Sequence, residues 1–207
     1  MAPCLEILVA KPTEDYHNDP TLSHPIFDIV GAAEGCLGIY YGTALEDRDM
    51  LVLLIPWRTL EDHLALINDK ERYGRMGAHF VRCADMANMD LFHTTLDVPL
   101  GPVLRAPYVS FVRVKGPAPG HTLEELLKET AAIARVTDVQ GCTGGGWGKA
   151  HEKDEVVLLH GWEDPKYHAE VAKLESVQEG LKPWREVSGE MKTVHVPLTT
   201  FKKYEGQ

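Results

Sequence analysis

No stretch of these 207 residues comes near the roughly 20 consecutive apolar residues that cross a bilayer, so a helical membrane protein is not expected. The opening residues, Met1-Ala2-Pro3-Cys4-Leu5-Glu6, lack the basic-then-apolar layout of a secretory signal, and the expectation is a cytoplasmic protein. Basic residues are also short, 21 against 31 acidic, for a net charge of −10 and no Lys/Arg-rich segment. A surface of that sign disfavours nucleic acid and anionic membranes as partners. Cysteine is sparse: Cys4, Cys36, Cys83 and Cys142 form no CxxC and no Cys/His ligand spacing, so neither a metal centre nor a disulfide framework is expected. Catalytic signatures are missing too, with no GxSxG, no HExxH and no DxDxDG.

What the chain does have is itself, twice. Gly35-Cys36-Leu37-Gly38-Ile39-Tyr40-Tyr41-Gly42 returns 106 residues later as Gly141-Cys142-Thr143-Gly144-Gly145-Gly146-Trp147-Gly148. A Trp closes the apolar run after each copy, Trp57 and Trp162, and a His follows six residues on, His63 and His168. Order kept across glycines, an aromatic and a helix start marks a duplicated folding unit. Residues 1–98 make the first repeat, 99–107 a linker stiffened by three prolines, and 108–207 the second repeat. In both, the cysteine after glycine is placed for packing rather than catalysis.

Each half opens on a strand, Leu5 to Lys11 or Tyr108 to Lys115, rich in β-branched residues. An apolar helical face follows: Leu22, Ile26, Ile29 and Ala33, then Leu123, Leu126, Thr130 and Ala134, the second behind a Thr122-x-x-Glu125 capping box. Next come the Gly-rich strand, a charged turn and an apolar strand, then a helix capped by Thr59 or Asp164, then a last strand, Met89 to Leu96 or Met191 to Val196. Strand, helix, strand, strand, helix, strand is a split βαβ plait, antiparallel with helices on one face. The fold class is α+β: two ferredoxin-like repeats whose sheets are expected to pack into one α/β barrel with the helices outside. The glycines from Gly144 to Gly148 do not match GxxxxGK[ST], and their counterpart in the first half lies in a strand, so a bulged strand is expected rather than a phosphate loop.

Val52 to Trp57 with His63, repeated as Leu158 to Trp162 with His168, resembles the dimeric α/β-barrel superfamily, and within it the antibiotic-biosynthesis-monooxygenase-like branch in tandem form. The resemblance implies a fold more than a reaction: cofactor-independent monooxygenases, polyketide cyclases, dehydratases, decarboxylases and haem-handling proteins share this scaffold. It implies secondary metabolism and a hydrophobic small-molecule substrate, with a homodimer left open. No cofactor is expected, haem being the alternative; the GxxDG run of the haem peroxidase relatives is lacking.

Candidate chemistry rests on histidine. His93 and His195 lie in the last strands and His160 interrupts an apolar strand; an imidazole is cheaper on a face meeting ligand or water than under a helix, so all three are expected to face the barrel interior as general bases. His63 and His168, at helix starts that favour the neutral ring, rank behind them. Glu6 and Arg113, in the opening strands, are expected to share a face and to bind substrate or each other. Tyr40, Tyr41, Trp57, Trp147 and Trp162 are candidate aromatic walls. The leading expectation is a base-initiated monooxygenase; a cyclase, dehydratase or decarboxylase shares its first step, and a haem or metabolite binder, or an assembly partner, would lack turnover.

Overall fold

The computed structural model describes residues 2–134 and 138–204, and these fall into two compact units, 2–93 with 199–204, and 94–134 with 138–198. In the first unit, β1 (Cys4–Pro12) runs into a short helix α1 (Glu14–Asn18) and then α2 (His24–Gly31). After the hairpin strands β2 (Ile39–Thr43) and β3 (Leu51–Trp57) come α3 (Leu60–Asn68), α4 (Lys70–Cys83) and β4 (Ala84–Thr94). Every residue of β3 is buried, as an apolar run without alternation requires. β1 and β3 pair antiparallel with Cys4 opposite Trp57 and Glu6 opposite Ile55.

The second unit begins with a short helix α5 (Gly101–Leu104), placed where the prolines suggested plain linker. Then follow β5 (Tyr108–Pro117), α6 (Leu123–Ile133), β6 (Cys142–Lys149), β7 (Glu155–Trp162), α7 (Pro165–Val171), α8 (Glu175–Val187) and β8 (Ser188–Pro197). β5 and β7 repeat the register of β1 and β3, with Tyr108 opposite Trp162 and Ser110 opposite His160. The strand order is β6-β7-β5-β8 here. The final strand, β9 (Thr199–Lys202), pairs with β2, so the first sheet reads β4-β1-β3-β2-β9. This added edge strand has no trace in the repeat.

Capping follows the sequence closely. Thr122 and Glu125 form the reciprocal capping box of α6, and the Thr59 hydroxyl accepts the Asp62 N–H at the head of α3. Asp164 caps α7 through the Lys166 N–H. Each second helix is nevertheless broken in two. Asp69 both ends α3 and caps α4, accepting the Arg72 N–H at 3.0 Å. β6 is the bulged strand expected, its register shifting between Cys142 and Gly144.

Helices cover one face of each sheet. In the first unit Leu8, Leu53, Ile55 and Trp57 pack there with Ile26, Phe27, Leu66 and Met76. In the second, Val112, Val114, Val156 and Leu158 meet Leu126, Trp184 and Val187. These alternations fix which strand residues face the helices: odd-numbered positions in β3 and even-numbered ones in β1, β5 and β7.

Candidate active site

In the first unit the imidazoles of His63 and His93 meet edge to edge, Nδ1 of the one 2.7 Å from Nε2 of the other. His63 stacks on Trp57, ring centroids 4.8 Å apart. The Trp57 indole N–H donates to Glu6 Oε2 at 2.7 Å, and the same oxygen lies 3.4 Å from His63 Nε2. Glu6, His63 and His93 are 3–4 % exposed and Trp57 is fully buried, so this network is sealed. Burial pushes the Glu6 carboxyl up to about 7, against the pull of the Trp57 donor.

That shift has a sign that can be checked. The folded state holds a proton that an ordinary glutamate, near 4.5, releases. Stability from the protonated form is complete below that value and is lost as the pH rises through about 7. Glu6→Gln is expected to flatten this decline, whose ceiling is roughly 3 kcal/mol. Urea midpoints of both proteins at about pH 5 and about pH 8 test it; identical pH dependence would refute the Glu6 assignment.

The second unit repeats the network with one substitution. His168 Nδ1 lies 2.7 Å from His195 Nε2, and His168 stacks on Trp162 at 5.0 Å. The Trp162 indole N–H now donates to the Ser110 hydroxyl at 3.0 Å. Ser110 stands where Glu6 stands in the other copy: each is two residues along its strand from the partner of the Trp. Here the network borders a cavity of about 690 Å³ between the sheet and α6, α7 and α8. Ser110, His160, Trp162 and His168 line one part of it; Val112, Ile133, Leu158, Leu181 and Trp184 supply apolar wall.

His160 projects into the same space from β7. Its Nε2 lies 3.2 Å from the Ala134 carbonyl, which can only accept, so Nε2 carries the proton and Nδ1 the lone pair of the neutral ring. Burial lowers its pKa and keeps it neutral. Gly145 lies opposite it on β6, and a Cβ there would sit 2.0 Å from His160 Cδ2. The first unit has Ile39 and Ile55 at these places, both buried. Gly145→Ala is therefore expected to drive the imidazole from its position at about 1–3 kcal/mol. His160→Ala in the same chain should recover most of that loss, because the clash then has no partner; additive costs in the double variant would show that the ring is not what Gly145 accommodates.

Several sequence expectations are corrected. His93 and His195 do not lie on the face away from the helices: each reaches a helix histidine, His63 or His168, because a paired imidazole can be satisfied under a helix. His160 is on the helix face as well. Glu6 and Arg113 are on opposite faces by strand parity, and Arg113 pairs with Glu155, Nε to Oε2 at 2.6 Å, rather than with Glu6. Tyr41 packs in the first core against Phe27, and the Tyr40 hydroxyl accepts the Tyr204 N–H; neither borders the cavity, and nor does Trp147. Trp57 is sealed with Glu6. Ser110 and Gly145 were missed, though the duplication carried a signal for both, a small residue in the second copy against Glu6 and Ile39 in the first.

Burial raises the thiol pKa of Cys36 and of Cys142, which disfavours the nucleophilic thiolate. Among the described residues no group of three or more His, Cys, Asp or Glu is placed to hold a metal ion, and no helix is long and apolar enough to cross a membrane. The Nε2 of His93 and that of His195 are each hydrogen-bonded to the neighbouring helix histidine.

No protein-family model and no curated protein matches the sequence. Solved structures do match, along almost the whole length. An anthrone oxidase-like protein aligns over 98 % of this chain and 94 % of its own, with 15 % identity and a TM-score of 0.70. A candidate monooxygenase from Fusobacterium nucleatum aligns over 98 % of both chains at 12 % identity and a TM-score of 0.69. One from Lactobacillus acidophilus covers 98 % of this chain and 97 % of that one, at 10 % identity and a TM-score of 0.66. At such identities the likeness is one of fold. The chain is thus similar in fold to these structures, an α+β arrangement of two ferredoxin-like halves with antiparallel sheets.

Proposed function

We propose that the second unit is a small-molecule oxygenase site of monooxygenase type, acting without a bound cofactor on an apolar phenolic or enolisable substrate. The observation that carries this reading is the cavity of about 690 Å³ with His168 in its wall and His195 directly behind. A volume of that size suits a molecule of two or three fused rings, and its walls are mostly apolar.

The pair has the logic of a base and its orienter. When His168 donates Nδ1–H to His195 Nε2, the lone pair of His168 sits on Nε2. The acidic O–H or C–H bond of the substrate breaks, the proton forms a new bond to His168 Nε2, and the electron pair stays on the substrate. The imidazolium keeps its Nδ1–H in the hydrogen bond to His195, which spreads the charge. The electron-rich anion then reduces dioxygen, forming a carbon–oxygen bond. For a methylene flanked by aromatic rings the balance is one dioxygen consumed, one carbonyl formed and one water released. His160, neutral with its lone pair on Nδ1, is the second polar group available to orient the substrate.

Anthrone is the first substrate to try, since a fold relative is described as anthrone oxidase-like. Oxygen uptake matched by carbonyl formation supports the proposal. Turnover without oxygen, giving a cyclised or dehydrated product, would reassign the same base to lyase chemistry. Anthrone and simple naphthols returned unchanged in air would overturn the reading.

A further inference from the structure

We propose that His160 selects the ligand of the second unit: its Nδ1 accepts a hydrogen bond from a neutral hydroxyl or N–H, so the cavity takes apolar ring compounds that present such a donor apart from the reacting carbon. This rests on the reading of the cavity as a small-molecule site and adds the polar group that the molecule must carry.

The ring is fixed on two sides. Its Nε2 is held by the Ala134 carbonyl at 3.2 Å, and among the described residues this is the one hydrogen bond that His160 makes. A Cβ placed at Gly145 would meet the ring at Cδ2, Cγ and Nε2, at 2.0, 2.6 and 2.8 Å, so these three atoms form the edge turned toward β6. The opposite edge is Nδ1 with Cε1. Ser110 lies across from His160 on β5, where its oxygen accepts the Trp162 indole N–H at 3.0 Å. Among the described residues no sealed polar side-chain atom lacks a partner. The His160 Nδ1, which makes no hydrogen bond within the protein, is therefore not sealed, and it opens on the cavity that His160 lines.

A neutral imidazole with its proton on Nε2 offers a lone pair there and no donor. Burial lowers the pKa of the ring, against the pull of the Ala134 carbonyl, so a ligand hydroxyl can donate without losing its proton to it. His160 thereby selects and positions, which is a different task from proton removal. The first unit has Ile55 and Ile39 where the second has His160 and Gly145, and both isoleucines are buried. Packing alone is satisfied by that apolar pair. The histidine brings the dehydration of a polar ring and the glycine gives up a side chain to admit it; a ligand donor on Nδ1 offsets both. Val112, Leu158 and Trp184 make the surrounding wall apolar, which strengthens a hydrogen bond formed against it.

The probes are 1-naphthol, 1-naphthylamine and 1-fluoronaphthalene, two-ring molecules of nearly equal size that are all uncharged at neutral pH. The first two present a donor and the third does not. The amine is no acid, so preference for a donor is distinguished from preference for an anion. By equilibrium dialysis the wild-type protein is expected to bind the naphthol and the naphthylamine roughly three- to tenfold more tightly than 1-fluoronaphthalene, the worth of one hydrogen bond. His160→Ile, the first unit's residue at this place, should bring all three to one affinity, and His160→Phe should do the same with a ring kept over Gly145. Equal wild-type affinity for the three probes, or a preference for the naphthol alone, would overturn donor selection while leaving the cavity as a binding site. A preference undiminished in both variants would overturn the assignment to His160. Failure of all three probes to bind would overturn the proposal and the reading of the cavity together. The wild-type comparison needs no variant, so misfolding of His160→Ile would not blunt it.

Discussion

Replacing His168 by asparagine is expected to lower kcat by roughly 10²- to 10⁴-fold, the range a positioned general base contributes. Asparagine is of similar size and can still hydrogen-bond to His195, so the packing against Trp162 is largely kept while the titratable nitrogen is lost. The limb of the pH–rate profile that reports deprotonation of the base should vanish with it. His195→Asn is expected to fall less far, since the base remains but its tautomer is no longer set by the partner at 2.7 Å. Its signature is a displaced pH profile, which a merely structural role would not produce. His63→Asn supplies the contrast. That side chain is the exact repeat counterpart of His168, yet it is sealed with Glu6 and Trp57, so its loss should reduce stability and leave turnover per folded molecule unchanged. Rates are measured by oxygen uptake on protein whose folded fraction is known. Full activity in His168→Asn would remove this residue as the base, and inactivity in folded His63→Asn would move the chemistry to the other half.

The largest stability loss is expected at Trp57. Trp57→Ala opens a cavity where the ring is fully buried and strips Glu6 of its indole donor; large-to-small changes of this kind cost about 3–5 kcal/mol. Against total stabilities of about 5–15 kcal/mol, that leaves the first unit marginal. Trp57→Phe separates the two contributions, keeping an aromatic ring over His63 while removing the N–H, at about 1–3 kcal/mol for the orphaned acceptor. Adding Glu6→Gln to Trp57→Phe should recover part of this, because a neutral amide costs less than an unpaired carboxyl. Trp162→Ala is expected to cost less than Trp57→Ala: its ring already borders open space, and its N–H serves a serine hydroxyl. Chemical denaturation followed by fluorescence measures all four, with a two-step transition allowed for two compact units. A Trp57→Ala protein as stable as wild type would show that the sealed network contributes little to the first core.

The sealed and the open copies differ by a few side chains. Glu6 against Ser110, Ile55 against His160 and Ile39 against Gly145 replace bulk and charge by small or polar groups on the helix-facing side of the sheet.

Much of this was legible before any coordinates. The duplication, the strand and helix order, the caps at Thr59, Thr122 and Asp164 and the bulge in the Gly-rich strand all depend on neighbours within a few residues, and local chemistry decides them. The candidate histidines were legible as residues but not as partners. His63 meets His93 across 30 residues, and His168 meets His195 across 27. Sequence alternation suggested that a polar ring avoids a helix, and the pairing of two imidazoles removes that penalty, so the faces were read the wrong way round.

By itself, then, the sequence determined two copies of a ferredoxin-like unit, because periodicity, capping and glycine placement are short-range properties written along the chain. Only the tertiary structure decided that one copy is closed over a glutamate and the other is hollow beside a serine, and that Arg113 turns away to Glu155. Those outcomes depend on which side chains from distant strands and helices compete for the same volume, and close packing settles that competition only when all of them are present at once.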